Sequence, residues 1–320
     1  MGLFLEAGHV AEDGELLVAV PLGLMIIAND HSGLAHRLLQ ERARGGDSPW
    51  AHYVASLPPG LPHVPVCWGG GSPMRRLAIV DALTRALPRF AQTCRDVSAE
   101  AERGRWKMGG AGCGEGEWAW AYGCALSRGI RTSRGLALIP LVDFANHAHP
   151  ANAVFGTRYT GEREGGDASA TGEGGGAEAA EAAGGEDSSA SSECSDSEEE
   201  IERAVARAAQ KRRDRERAVE LARVDPASFQ FTLRAGGRME GAPPGSRECL
   251  VSYGVKYDEA WVAHHGFLPR DTSSAGLADR GDVSAVPDAL RELDRLEAEG
   301  GLGGADLAAA RGLLEKMTAG

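Results

Sequence analysis

Two stretches of the chain place polar side chains where the surrounding residues are apolar. One runs Leu138-Ile139-Pro140-Leu141-Val142-Asp143-Phe144-Ala145-Asn146-His147-Ala148-His149. The other is Val251-Ser252-Tyr253-Gly254, followed by His264-His265-Gly266-Phe267. Asp143, His147, His149, His264 and His265 are ligand types that suit zinc or iron. Adjacent histidines do not usually reach one ion together, so no metal is expected. Taken singly, the other candidates have structural explanations. Asn146 reads as a turn residue, Asp143 as a cap, Arg128 as a cation at a helix C-terminus, Tyr253 as a strand aromatic and Phe267 as core. Any chemistry therefore lies in their order along the chain.

The elements that must position these residues are short. Apolar runs at Gly2–Leu5 and Leu16–Val20, separated by Ala11-Glu12-Asp13-Gly14-Glu15, read as a β-hairpin. Helical periodicity follows over Leu34–Ala43, with caps available at Asp30 or Ser32. It returns over Leu77–Arg103, where Leu77, Val80, Leu83, Leu87 and Phe90 form a stripe and Pro88 introduces a kink. A third helix is expected over Glu117–Ile130, after the Gly-rich loop Gly109–Gly116. Strands are expected at Leu136–Pro140, Asn152–Tyr159, Phe229–Leu233 and Cys249–Tyr253, and the tail Ala289–Met317 is helical. Short strands interrupted by a helical block indicate α+β rather than alternating βαβ.

The chain has 320 residues and a formal charge of −12, but residues 161–200 hold thirteen acidic residues and one Arg. The remainder is neutral, so neither a DNA-tracking basic surface nor a polyanionic globule follows, and no nucleic acid partner is expected. From Thr160 to Glu200 no aromatic or large aliphatic residue occurs, which marks a disordered loop. Glu198–Val224 carries dense mixed charge and reads as an exposed helical arm. The six cysteines are scattered without paired spacing, so a reducing, intracellular compartment is expected. No stretch of about 18 uncharged apolar residues is present, so no membrane span is expected.

Read in order, these stretches resemble the Asn-His and Ser-Tyr-Gly motifs of SET-domain protein methyltransferases, in the class typified by the Rubisco large-subunit lysine methyltransferase. Three further stretches are similar to that class. Gly2-Leu3-Phe4-Leu5 through Val20-Pro21 looks like the opening SET hairpin, and Ser127-Arg128-Gly129 resembles a Ser-Arg-Ala motif. Ser48-Pro49-Trp50-Ala51-His52-Tyr53-Val54-Ala55-Ser56-Leu57-Pro58 resembles the helical insert, where a Trp, a Tyr and Ser-Leu-Pro recur. The resemblance covers most of residues 2–159 and 227–270.

The resemblance implies a SET fold of short β-sheets with a knot-like crossing. Its parts would be an N-terminal hairpin (1–28), a helical insert (29–127), and a core (128–270) interrupted at about 160–225. A partial C-terminal helical substrate-binding region (271–320) would follow. The implied cofactor is S-adenosyl-L-methionine, bound by Leu3, Phe4, Arg128, Asp143, Asn146, His147 and Phe267, with Tyr253 at the point of transfer. Arg128 would meet the methionyl carboxylate. Asn146, nearby carbonyls and Asp143 would meet the ammonium, and Phe267 would face adenine. The implied activity is lysine N-methylation of a non-histone protein by a monomer. Histidine as acceptor and a non-catalytic SET-fold binding module are the alternatives. His265 stands where many lysine-specific relatives have Tyr, and Met1 stands where an upstream segment is expected. The roughly 50 residues after Phe267 are fewer than the family's C-terminal domain supplies.

Overall fold

The computed structural model describes residues 2–4, 11–107, 113–159, 229–236, 248–270, 273–278, 281–300 and 307–318. The acidic stretch and the charged arm expected between Thr160 and Val224 lie outside the described residues. Strands β1 (Leu16–Pro21), β2 (Ile26–Ala28), β3 (Ile130–Thr132), β4 (Gly135–Leu138), β5 (Asn146–His147), β6 (Ala153–Tyr159), β7 (Phe229–Ala235) and β8 (Leu250–Val251) form three small sheets among the described residues. Helices are α1 (His31–Arg44), α2 (Ala51–Ser56), α3 (Pro73–Leu83), α4 (Pro88–Lys107), α5 (Glu115–Arg128), α6 (Asp258–His265), α7 (Val286–Gly300) and α8 (Ala308–Thr318). Helices and strands are segregated along the chain, as an α+β architecture requires.

The alternating apolar residues of β7 make it the middle strand of the first sheet, in the order β1-β7-β6 and antiparallel throughout. Phe229, Phe231 and Leu233 turn one face inward, and Thr232 is buried between flanking strands. Residues 5–10, which would face β1 across the turn of the expected N-terminal hairpin, lie outside the described residues. β1 pairs with β7, while Phe4 bridges Glu248 in the distant C-terminal part of the chain. The polar residues from Ala11 to Glu15 still turn, with Glu15 N–H donating to Glu12 O at 3.0 Å. That turn leads into β1, which takes a remote partner in β7.

The second sheet runs β2-β4-β3, and β4 is buried on both faces, Leu136 and Leu138 against α1 and α5 and Ala137 in a core with Phe229 and Phe231 of β7. Helix α1 starts as its sequence dictates, Asp30 Oδ1 accepting from Gly33 N–H at 2.7 Å. The long helix expected over Leu77–Arg103 is two helices. Pro88 occupies the first position of α4, where its missing N–H costs nothing, so the chain breaks before it instead of kinking through it. Leu77 consequently leaves the stripe and is 43% exposed, while Val80, Leu83, Leu87 and Phe90 stay buried. The tail is likewise two helices, α7 and α8. Leu293, Leu313 and Leu314 share one core with Ile79, Leu83 and Phe90 of α3 and α4, and with Val262 of α6.

Candidate active site

The third sheet has two strands and joins the two stretches that the sequence sets apart. β5 and β8 pair in parallel, Asn146 opposite Leu250 and His147 opposite Val251. Asn152 clamps this crossing. Its side chain donates to Glu248 O at 2.9 Å and accepts from Leu250 N–H at 2.7 Å. The N-terminal segment lies along the other side, Cys249 N–H donating to Leu3 O at 2.7 Å. Leu3 and Tyr253 both pack on a small core of Ala145, Ala153, Leu233, Cys249 and Val251. Gly2 lies directly against the Glu248 carboxylate and the Asn146 amide, so a side chain there would displace the Glu248 side chain. Phe4 is 61% exposed.

One half of the site is polar and charged. β4 ends at Leu138, and the chain then passes Leu141 in a left-handed conformation (φ 71°) into a 3-10 turn over Val142–Phe144. That turn carries Asp143 inward to 8% exposure. Tyr53 Oη on α2 donates to Asp143 Oδ2 at 2.5 Å, across 90 residues of sequence. Arg128, the last residue of α5, donates through Nη1 to Asp143 O at 3.0 Å, and its guanidinium lies 5.6 Å from the Phe144 ring centroid. Burial pushes the Asp143 carboxyl up to about 6, against the opposing pull of the Tyr53 hydrogen bond and the Arg128 charge. Among the described residues Asp143 Oδ1 and Arg128 Nε are buried without a hydrogen-bond partner. Leaving such a group unmet costs about 1–3 kcal/mol, more when it is charged. Asn146 lies at the edge of this half, its Nδ2 donating to Glu248 Oε1 at 2.5 Å. A carboxylate only accepts, so Glu248 fixes which end of the Asn146 amide faces away.

The other half is aromatic. Tyr253 Oη donates to Ala145 O at 2.8 Å, and burial pushes the phenol up to about 12. His147 Nδ1 lies 3.0 Å from the Tyr253 backbone nitrogen and 3.2 Å from Val251 O, and Nε2 lies 2.8 Å from Ser273 Oγ. The His147 ring is thus held at both nitrogens. Trp261, fully buried on α6, lies 4.6 Å from His147, 5.1 Å from His265 and 5.4 Å from Phe267 between ring centroids. His265 is 5.2 Å from Tyr253. Burial holds His264 down to about 4 and His265 down to about 3, assisted by nearby Lys256 in both cases. Lys256 is itself lowered by burial, its Nζ 4.7 Å over the Trp261 ring and donating to Tyr253 O. At Gly266 the chain turns with φ 74°, and a Cβ there would sit 2.4 Å from His63 O. Phe267 follows at 38% exposure.

The structure therefore gathers Leu3, Asn146, His147 and Tyr253 at the crossing, Arg128 and Asp143 beneath Phe144, and Phe267 on the aromatic wall. Arg128 and Asp143 both act on the Tyr253 phenol, so the two halves meet there. Tyr53, Glu248, Trp261 and Ser273 complete the site without having been singled out for it. Tyr53 stands in a segment whose pattern is visible in sequence, and Glu248 is the charge directly abutting the apolar run Cys249–Val251. Ser273 carries no sequence signal. Among the described residues no group of His, Cys, Asp and Glu is placed to hold a metal ion, and no helix is long and apolar enough to cross a membrane.

No protein-family model matches the chain, and no curated protein sequence is significantly similar to it. Solved structures similar to it include the SET domain of LSMT bound to lysine and AdoHcy, at 14% identity and a TM-score of 0.47, over 81% of this chain and 48% of that one. Rubisco LSMT bound to AdoMet aligns at 13% identity and a TM-score of 0.44, over 82% and 48%. The SET domain of LSMT bound to MeLysine and AdoHcy aligns at 18% identity and a TM-score of 0.35, over 44% and 36%. The chain spans about half the length of the first and second of these structures.

Proposed function

We propose that the chain is an S-adenosylmethionine-dependent protein methyltransferase of the SET type, acting on a lysine of a non-histone protein. The observation that carries this reading is the parallel crossing of Asn146–His147 with Leu250–Val251, which sets the Tyr253 phenol between a charged pocket and an aromatic wall. The motifs read from sequence, Ser127-Arg128-Gly129, Asn146-His147 and Ser252-Tyr253-Gly254, all contribute to that one place.

The donor set fits the cofactor's zwitterionic end. Arg128 supplies a guanidinium for the carboxylate, and the Asp143 carboxylate beside it is buried with one oxygen unmet. With Asn146 Nδ2 turned to Glu248, the Asn146 oxygen is left to accept from the ammonium. Leu3 and Phe4 contribute backbone at one edge and Phe267 a π-face for adenine at the other. His147 contributes its backbone, since both of its ring nitrogens are engaged. The cofactor, when bound, would supply an electrophilic methyl group on a sulfonium, which an amine would take by in-line attack as the C–S bond breaks and the thioether leaves.

The chain's own residues would align and dry that displacement. With its proton committed to Ala145 O, the Tyr253 oxygen turns its lone pairs to the reacting groups, orienting the amine and polarising the methyl. A phenol pushed to about 12 stays protonated at neutral pH, so Tyr253 orients and does not deprotonate. The amine must arrive neutral. The aromatic wall provides for this, because the burial that depresses His264, His265 and Lys256 would depress an entering lysine as well.

His265, neutral and 5.2 Å from Tyr253, favours a second reading in which the acceptor is histidine, because an imidazole on the wall offers a hydrogen bond to an entering imidazole. Incubation of the purified chain with methyl-labelled S-adenosylmethionine and a soluble cell extract, followed by mass spectrometry, tests both. Labelled lysine is the expected product, and labelled histidine would transfer the assignment to the second reading. Absence of label together with absence of binding heat for the cofactor would leave a non-catalytic module.

A further inference from the structure

We propose that Tyr53 is a positioning residue for cofactor capture, holding the Asp143 carboxylate in place and in its charged form beside Arg128. The inference rests on the pocket assignment above and goes beyond it. Tyr53 belongs to the helical insert, not to the strands that form the crossing, and no cofactor contact is assigned to it.

Four observations carry it. Tyr53 Oη is 2.5 Å from Asp143 Oδ2, the length of a charge-assisted hydrogen bond. Both side chains are buried, so water cannot substitute for either partner. The other carboxylate oxygen has no partner among the described residues, which leaves Tyr53 as the group that fixes the carboxylate plane. Tyr53 is itself anchored, its ring 6.1 Å from that of Phe144, the residue after Asp143, so insert and turn move as one.

The groups facing Asp143 come from three directions: Tyr53 on α2, Arg128 and Cys124 on α5, and Tyr253 after β8. Burial raises the Asp143 carboxyl, while Tyr53 and Arg128 oppose that rise. Removing the Tyr53 hydroxyl therefore moves the carboxyl higher, and the negative charge that draws the ammonium is lost at a higher pH. Cys124 is a thiol pushed up by burial and stays neutral in this range, as does the Tyr253 phenol.

Calorimetric titration of S-adenosylhomocysteine across pH into wild type, Tyr53→Phe, Asp143→Asn and the double variant tests this. Wild-type affinity should weaken as pH falls through about 6, the value to which the carboxyl is pushed. Tyr53→Phe should bind within about twofold of wild type near pH 8.5, about threefold more weakly near pH 6.5 and about tenfold more weakly near pH 5, the effect of a carboxyl about tenfold harder to ionise. Asp143→Asn should bind weakly with a flat profile, and adding Tyr53→Phe to it should cost nothing further. A Tyr53→Phe loss that is equal at every pH, or that persists when Asp143→Asn is already in place, would overturn the inference and leave Tyr53 a packing residue. Failure of wild type to bind at any pH would overturn the pocket assignment, and this inference with it. Circular dichroism melting confirms that each variant is folded before its profile is read.

Discussion

The charged half of the site and its aromatic half solve opposite problems with similar burial. Beneath Phe144 the fold retains an ionisable carboxyl and a guanidinium with one atom each unmet, a state that costs stability. Around Trp261 it keeps two imidazoles neutral and a phenol protonated. Unmet charge is useful only where a ligand completes it, and a neutral wall is useful only where something must shed a proton. Tyr253 stands where the halves meet, and it responds to Arg128 and Asp143 from one side while its ring lies against His147 and His265 on the other.

The largest effect is therefore expected at that junction. Tyr253→Phe removes one hydroxyl and keeps the ring, so S-adenosylhomocysteine affinity should hold within about twofold. Label transfer into extract protein should fall about a hundredfold, the scale on which a preorganised polar group is lost from a transition state. Transfer at the wild-type rate would remove Tyr253 from the chemistry. Next comes the charged half. Arg128→Ala forfeits a charge-assisted hydrogen bond worth about 1.5–3 kcal/mol, and calorimetric affinity should drop about ten- to a hundredfold. Unaltered affinity would place the cofactor's carboxylate elsewhere.

A pH series separates the halves by sign. His264 and His265 are depressed to about 4 and about 3, below the usual value of about 6.5, so the unfolded chain takes up protons first. Their contribution to stability is fully present above about pH 6.5 and is lost as pH falls through their folded values. Asp143 is raised to about 6, so its contribution is fully present below the ordinary carboxylate value and is lost as pH rises through 6. Between about pH 4 and 6 the two oppose each other, at about 1.4 kcal/mol per pH unit for each proton. Asp143→Asn should thus make the acid-side loss of stability steeper than in wild type by about that slope, measured by urea unfolding. Parallel curves for the two proteins would show that Asp143 is not strained by burial.

How much of this was legible beforehand divides along the same line. Asn146 and His147 on β5, and Tyr253 just after β8, could be singled out because a polar residue beside an apolar run shows in the sequence itself. Helix α1 could be read because Asp30 caps it where the periodicity begins. The N-terminal pairing could not. Alternation identifies a strand but does not name its partner, and β1 pairs with residues more than two hundred positions away. Nor could the bond from Tyr53 to Asp143, because a tyrosine on a short helix looks the same whether it meets solvent, core or carboxylate. The inward path of Asp143 depends on Leu141 at φ 71°, a conformation that a leucine does not advertise.

The smallest effect is expected far from both halves, and it checks that their contrast is intrinsic to the crossing. β6 and β7 pair in register up to Tyr159 opposite Phe229, so their backbones already lie side by side where the chain leaves one strand and re-enters the other. Residues 160–228 can then be replaced by a tight Asn-Gly turn without altering either strand. Each halving of a connecting loop lowers its closure cost by only about 0.6 kcal/mol, so the melting temperature should stay level or rise by a few degrees. S-adenosylhomocysteine affinity should be unchanged, because Arg128, Asp143, Asn146 and Tyr253 are all held by contacts among residues outside the excised stretch. A fall in affinity with the melting temperature preserved would show that the excised residues belong to the charged half. The contrast between the halves would then have to be redrawn to include them.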